Sequence, residues 1–192
     1  MRKPLKFVLV SSLVGLGACV GSLYPLWSGP EVLSEPKLIG TWSDSTGKGW
    51  VDIRAYGPFT YRVRVQDDSG RIGEFQGMLG RLDGHLILDL QPNVTVLRVP
   101  ATYAGMLEAL HAFVLVDSLG EHPRFRILDT DSLRKYLVAH PAAVRADTFG
   151  GGVLLEGRPA QLQAFMRVYL QRPGVAGDPA VAQRCSRCVV PQ

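Results

Sequence analysis

Only three cysteines occur in the 192 residues, Cys19, Cys185 and Cys188. So few rule out a disulfide-dense scaffold, and they fall short of a zinc site, which takes four ligands. Histidine is also scarce. His85, His111, His122 and His140 never occur as His-x-His, His-x-x-x-His or His-Glu-x-x-His, so no local motif supports a metal or cofactor. There is no Gly-x-Ser-x-Gly elbow and no nucleophile–base–orienter set, and a non-enzyme is expected. Gly150-Gly151-Gly152 lacks the lysine and following helix of a phosphate loop and reads as a turn. Asp129 and Asp131, on either side of Thr130, read as helix caps. Excess charge of one sign is missing too. There are 21 Lys and Arg against 17 Asp and Glu, and Arg2, Lys3 and Lys6 lie in the first eighteen residues with no acid among them. The remainder holds 18 cations against 17 acids, with no basic cluster interleaved with aromatics, which excludes nucleic acid as the expected partner. Nor is there a long apolar run: Phe7 to Ala18 is too short for a bilayer, which needs about 20 apolar residues.

That short run is informative for what surrounds it. A basic head precedes it, and Gly17-Ala18-Cys19 follows. This is the layout of a secretory signal, and its end resembles the lipobox of bacterial lipoproteins. The resemblance implies a signal peptide at 1–18 and acyl chains on Cys19, which hold a protein at about 0.8 kcal/mol per buried methylene. The competing readings are an uncleaved anchor over Phe7 to Trp27, interrupted by Ser11, Ser12, Ser22 and Pro25, and an ordinary signal cut near Ala18. With lipid on Cys19, the expected address is the bacterial cell envelope, with the membrane as partner. In a Gram-negative host, Val20 after the cysteine implies the outer membrane facing the periplasm. Residues 19–37, with Pro25, Pro30 and Pro36, read as a tether. Cys185 and Cys188 are left as a Cys-Ser-Arg-Cys pair in a tail, 173–192, expected to be flexible. Outside the cytoplasm a local disulfide or two free thiols is the expectation for them.

Between tether and tail the pattern has a period of two. Val51, Ile53 and Ala55 alternate with Asp52 and Arg54. Phe59, Tyr61, Val63 and Val65 alternate with Thr60, Arg62, Arg64 and Gln66. Such alternation marks half-buried strands. Asp67-Asp68-Ser69-Gly70 and Asp83-Gly84 are hairpin turn signals. Further strands are expected at 71–82, 86–90, 94–99, 111–117, 124–128 and 153–156, while 100–110 is ambiguous and has room for a helical turn. Leu133, Tyr136 and Leu137 predict a helix over 131–139, and Leu162, Phe165, Met166 and Tyr169 predict one over 159–171. The fold class is therefore mainly β: an antiparallel up-and-down barrel or strongly curled sheet over 38–172, with an inserted helix and a C-terminal helix.

Leu38-Ile39-Gly40-Thr41-Trp42 opens the first strand. Gly-x-Trp in that position resembles the lipocalin signature, and the meander followed by a late strand and helix is similar to the lipocalin layout. The chain also resembles lipocalin-like bacterial lipoproteins, which implies no particular activity. In lipocalins an arginine near the end of the last strand packs over that tryptophan, which makes Arg158 the candidate partner of Trp42. By strand parity, Tyr61, His111 and Phe113 are the candidate ligand-pocket residues. The expected function is an envelope lipoprotein that binds a small apolar or amphipathic ligand. The alternative is a non-catalytic structural or assembly lipoprotein acting through contacts with another envelope protein.

Overall fold

The computed structural model describes residues 20–44, 47–93, 110–149 and 151–191. The signal, Cys19 and the strand expected at 94–99 lie outside these. Nine strands form one antiparallel sheet in the order β11-β8-β7-β6-β5-β4-β3-β2-β12. They are β2 (Gly40–Ser43), β3 (Trp50–Ala55), β4 (Tyr61–Gln66), β5 (Ile72–Leu82), β6 (His85–Pro92), β7 (Ala112–Ser118), β8 (Arg124–Ile127), β11 (Ala180–Val181) and β12 (Gln183–Arg184). The strands expected at 71–82, 86–90, 111–117 and 124–128 belong to the meander from β2 to β8, with β6 pairing directly with β7. The strand expected at 153–156 lies instead in a separate sheet. The meander curls into a nearly closed barrel.

The two ends of the sheet order are neighbours in the chain. β11 pairs with β8 and β12 pairs with β2, and only Ala182 separates them. Ala182 N–H donates to Pro123 O and Cys185 N–H donates to Thr41 O, both at 2.9 Å. The segment 175–185 therefore sews the barrel shut and satisfies two sheet edges that would otherwise be open. The expected flexible tail is in this stretch a closing strand. The sequence signal was weak because each pairing is two residues long and Pro179 stands beside it.

A second layer covers the outside of the barrel. It contains a three-stranded sheet in the order β1-β10-β9, with β1 (Val20–Ser22), β9 (Ala146–Phe149) and β10 (Gly152–Leu155). Beside it lie helices α1 (Thr130–Ala139) and α2 (Pro159–Tyr169). The helices match the expected positions. Asp129 caps α1 by accepting from Ser132 N–H at 2.7 Å. Burial of the Leu162, Phe165, Met166 and Tyr169 stripe holds α2.

The sheet thus has two cores, one on each face. Inside the barrel lie Leu38, Trp42, Ile53, Val63, Leu79, Leu88 and Val114. Outside it Trp27, Ile87, Phe113 and Leu115 pack on the helices through Leu133, Phe165 and Met166. Strands β6 and β7 are buried on both faces, which is why they read as continuous apolar runs while β4 alternates.

The region expected as a tether is in fact anchored to this outer core. Leu26 and Trp27 are fully buried. Trp27 Nε1–H donates to Ile87 O at 3.2 Å, and Gln163 Nε2–H donates to Leu26 O at 2.9 Å. The prolines of 20–36 bend a packed segment rather than stiffen a free one.

Candidate functional site

The barrel interior lines a partly open apolar cavity of about 70 Å³. Trp42, Val51, Val65, Leu90, Val114 and Phe125 contribute to its wall, with Asp178 and Arg126 the polar residues on it. Alternate residues of β3 and β4 reach it because their other faces carry Asp52, Arg62 and Arg64. The closing strand adds Ala180. A site so short of polar groups favours apolar groups over water. Its size is well below the roughly 300 Å³ at which ligand pockets begin.

Arg126 is tied to Asp117 by two hydrogen bonds, Nε–H to Oδ2 at 2.6 Å and Nη2–H to Oδ1 at 2.7 Å. The Asp117 hydrogen bond holds the Arg126 guanidinium above its ordinary value. The Arg126 charge at the cavity wall is thereby paired within β7 and β8.

Trp42 is one wall of the cavity. Its Nε1–H donates to Leu38 O at 3.0 Å, in the 3-10 turn Pro36–Leu38. A guanidinium does pack on the indole, 4.6 Å from the ring centroid, but it belongs to Arg184 on β12. Arg184 also donates Nη2–H to Ile39 O at 3.3 Å. A Cβ at Gly40 would sit 2.6 Å from Arg184 Nη1, so the glycine of Gly-x-Trp is where the arginine rests. Arg158 is elsewhere. It precedes α2 in the outer layer, Gln161 Oε1 accepts its N–H at 2.9 Å, and its guanidinium lies 5.7 Å from the Tyr24 ring. Placing Arg158 on Trp42 was wrong because α2 packs on the opposite face of the sheet from the barrel core.

The other predicted pocket residues are also redistributed. Tyr61 is buried in the barrel core, yet it does not wall the cavity. Its hydroxyl accepts the Glu35 N–H at 2.7 Å and fastens the chain before β2. Phe113 and His111 share strand parity, as expected, but their face is the outer one. Parity could not choose between two buried faces.

His111 instead belongs to a buried polar cluster that sequence reasoning missed. His111 Nδ1 lies 2.7 Å from Asp89 Oδ1, and Asp89 Oδ2 accepts the Leu26 N–H at 2.8 Å. Backbone bonds in both directions join Ser22 to His111, at 2.9 and 2.8 Å. Asp89 is 2 % exposed. The only signal in the sequence was an acid on an otherwise apolar strand, Leu86 to Leu90. The cluster clamps the N-terminal segment to the sheet. Its hydrogen bonds all run to the chain itself, between β6, His111 and the N-terminal segment.

Near the end of the chain Cys185 and Cys188 form a disulfide. It follows β12 directly, and Arg64 donates Nη1–H to Pro191 O, which holds the last described residue against β4.

No family model, curated protein or solved structure matches the chain.

Proposed function

We propose that this is an envelope lipoprotein, anchored through acylated Cys19, whose barrel receives the end of one slender apolar chain. The apolar cavity behind Trp42 and Val51 carries this proposal. Its size selects the ligand. About 70 Å³ admits a short run of methylenes or a methyl-terminated tip, whereas a whole lipid needs a pocket of several hundred Å³. The polar part of an amphipathic ligand therefore stays outside. The protein is non-catalytic: it holds the ligand and makes no bond.

The test is extraction of the full-length protein from membranes, then mass spectrometry of both the N-terminal peptide and the co-purifying lipid. The expected result is acyl mass on Cys19 and one single-chain amphiphile per protein. A Val51→Phe variant, which fills the cavity from a half-buried position, is expected to emerge without the amphiphile while keeping the acyl mass. An empty wild-type protein that also fails to take up a fluorescent fatty acid would overturn the ligand-binding part.

The small volume also supports a second reading, a filled barrel acting as an assembly lipoprotein through protein contacts. Reproducible cross-linking to one envelope protein, unchanged in Val51→Phe, would favour it.

A further inference from the structure

The turn between β3 and β4, Tyr56-Gly57-Pro58-Phe59-Thr60, places two large apolar side chains in water. Tyr56 is 68 % and Phe59 51 % exposed. The turn itself is well formed: Tyr56 N–H and Gly57 N–H both donate to Thr60 O. The aromatics are therefore held on a built tip. Behind them Arg54 and Arg62 are directly opposite each other in the β3–β4 register, and both are exposed. Like charges facing across a strand pair are destabilising. Arg54 is compensated by Asp52, 2.8 Å away. Among the described residues Arg62 has no ion pair. Aromatic side chains over a cationic base is the composition that settles into the headgroup layer of a membrane carrying negative lipid.

The topology gives the tip a suitable direction. In a meander, alternate turns share an end of the barrel, so the β3–β4 and β7–β8 turns lie at one end and the β4–β5 turn at the other. The Ser22–His111 bridge is antiparallel, so β1 runs against β7. Its first residue, Val20, therefore points toward the end that carries the aromatic tip. The segment 20–27 is packed against the barrel, so no long spacer separates the body from position 19.

We infer that the Tyr56–Phe59 turn is a second membrane contact, inserting its aromatic rings into an anionic lipid surface while Arg54 and Arg62 meet the headgroups. The membrane itself is taken from the anchored-envelope proposal, and the contact from the turn.

The test is a set of single tryptophan reporters in the full-length protein, reconstituted into phosphatidylglycerol vesicles whose acyl chains carry bromine. Phe59→Trp and Tyr56→Trp report on the tip. Ile72→Trp, 42 % exposed beside the β4–β5 turn, is the control at the opposite end. The parent protein supplies the background of its buried tryptophans. Trp at 59 and 56 is expected to shift blue and be quenched, and Trp at 72 to do neither. In phosphatidylcholine the quenching should weaken, and Arg62→Gln should lower it in phosphatidylglycerol, one cation near such a surface being worth about fivefold. Quenching at 59 and 56 no greater than at 72, or equal in the two lipids, would overturn the inference. Acylation of Cys19, read by mass in the same samples, separates the two proposals. Quenched reporters on an unacylated chain leave the tip standing and remove the anchor; acylated chains with unquenched reporters do the reverse.

Discussion

Several single residues carry more of this fold than their size suggests. Gly80 on β5 is one: a Cβ there would lie 2.5 Å from Cε2 of Trp27, whose ring is buried and held by Ile87 O. Gly80→Ala must expel a rigid indole, so a loss at the upper end of the ~1–3 kcal/mol typical of overpacking is expected in denaturant unfolding. Gly84→Ala, by contrast, meets no atom and suffers only from its positive φ of 88°. Asp89 is another. Asp89→Ala leaves His111 Nδ1 and the Leu26 N–H without their buried partner, and each buried polar group left unsatisfied costs about 1–3 kcal/mol. The double variant with His111→Leu should lose less than the two singles together, which a thermodynamic cycle measures. The titrating groups set two further limits. Burial pushes the Asp52 carboxyl up, but hydrogen bonds from Arg54 and Thr41 outweigh it and leave it below its ordinary value. Asp67 is likewise lowered, its burial outweighed by bonds from Arg71 and Ser69, and the Ser132 bonds lower Asp129. All three are depressed in the folded state. Their contribution is present above the ordinary carboxyl value and is lost as pH falls through about 4 and below. Tyr169 acts at the other extreme. Burial, then the nearby Asp129 charge, push it up to about 12, so stability should decline as pH rises from about 10 toward that value. Unfolding midpoints across pH check both signs; Tyr169→Phe should flatten the alkaline limb.

Among the elements, the closing strand matters most and was the least legible. The meander and both helices could be read from periodicity, because each buries one face along a run of residues. The 175–185 segment buries only Val175 and Ala182, and what fixes it is backbone pairing with β8 and β2, which leaves no pattern in side chains. β1 was hidden for the same reason: three residues that pair in parallel with β10. Ending the chain at Gly174 should therefore do far more harm than breaking the Cys185–Cys188 bond. The truncation uncovers Trp42 and opens two sheet edges, and aggregation with a lowered unfolding midpoint is the expected outcome. The disulfide closes only a four-residue span, so Cys185→Ser with Cys188→Ser should cost no more than about 2 kcal/mol on the loop-entropy scale. Comparable losses in the two variants would contradict this account of the strand.

At the scale of the whole molecule, the barrel was legible and its contents were not. Alternation assigned β3 and β4 to two faces, but the radius that decides a cavity comes from closure by β11 and β12. The same closure supplied Arg184 where a residue after β10 had been expected. The predicted pocket failed at His111 and Phe113 because a second core covers the sheet from outside, and a strand buried on both faces gives no sign of which side is which. What emerges is a nearly closed barrel, completed by the segment 175–185, clamped to its N-terminal segment, and lining a small apolar space behind Trp42. The most direct test uses that tryptophan. With Trp27 and Trp50 changed to Phe, Trp42 is the remaining reporter, and a bromine-labelled single-chain fatty acid is titrated into the folded protein. Saturable quenching at one ligand per chain, abolished by Val51→Phe at unchanged stability, is the predicted result. Emission that stays constant through the titration, or quenching that persists with the cavity filled, would contradict it.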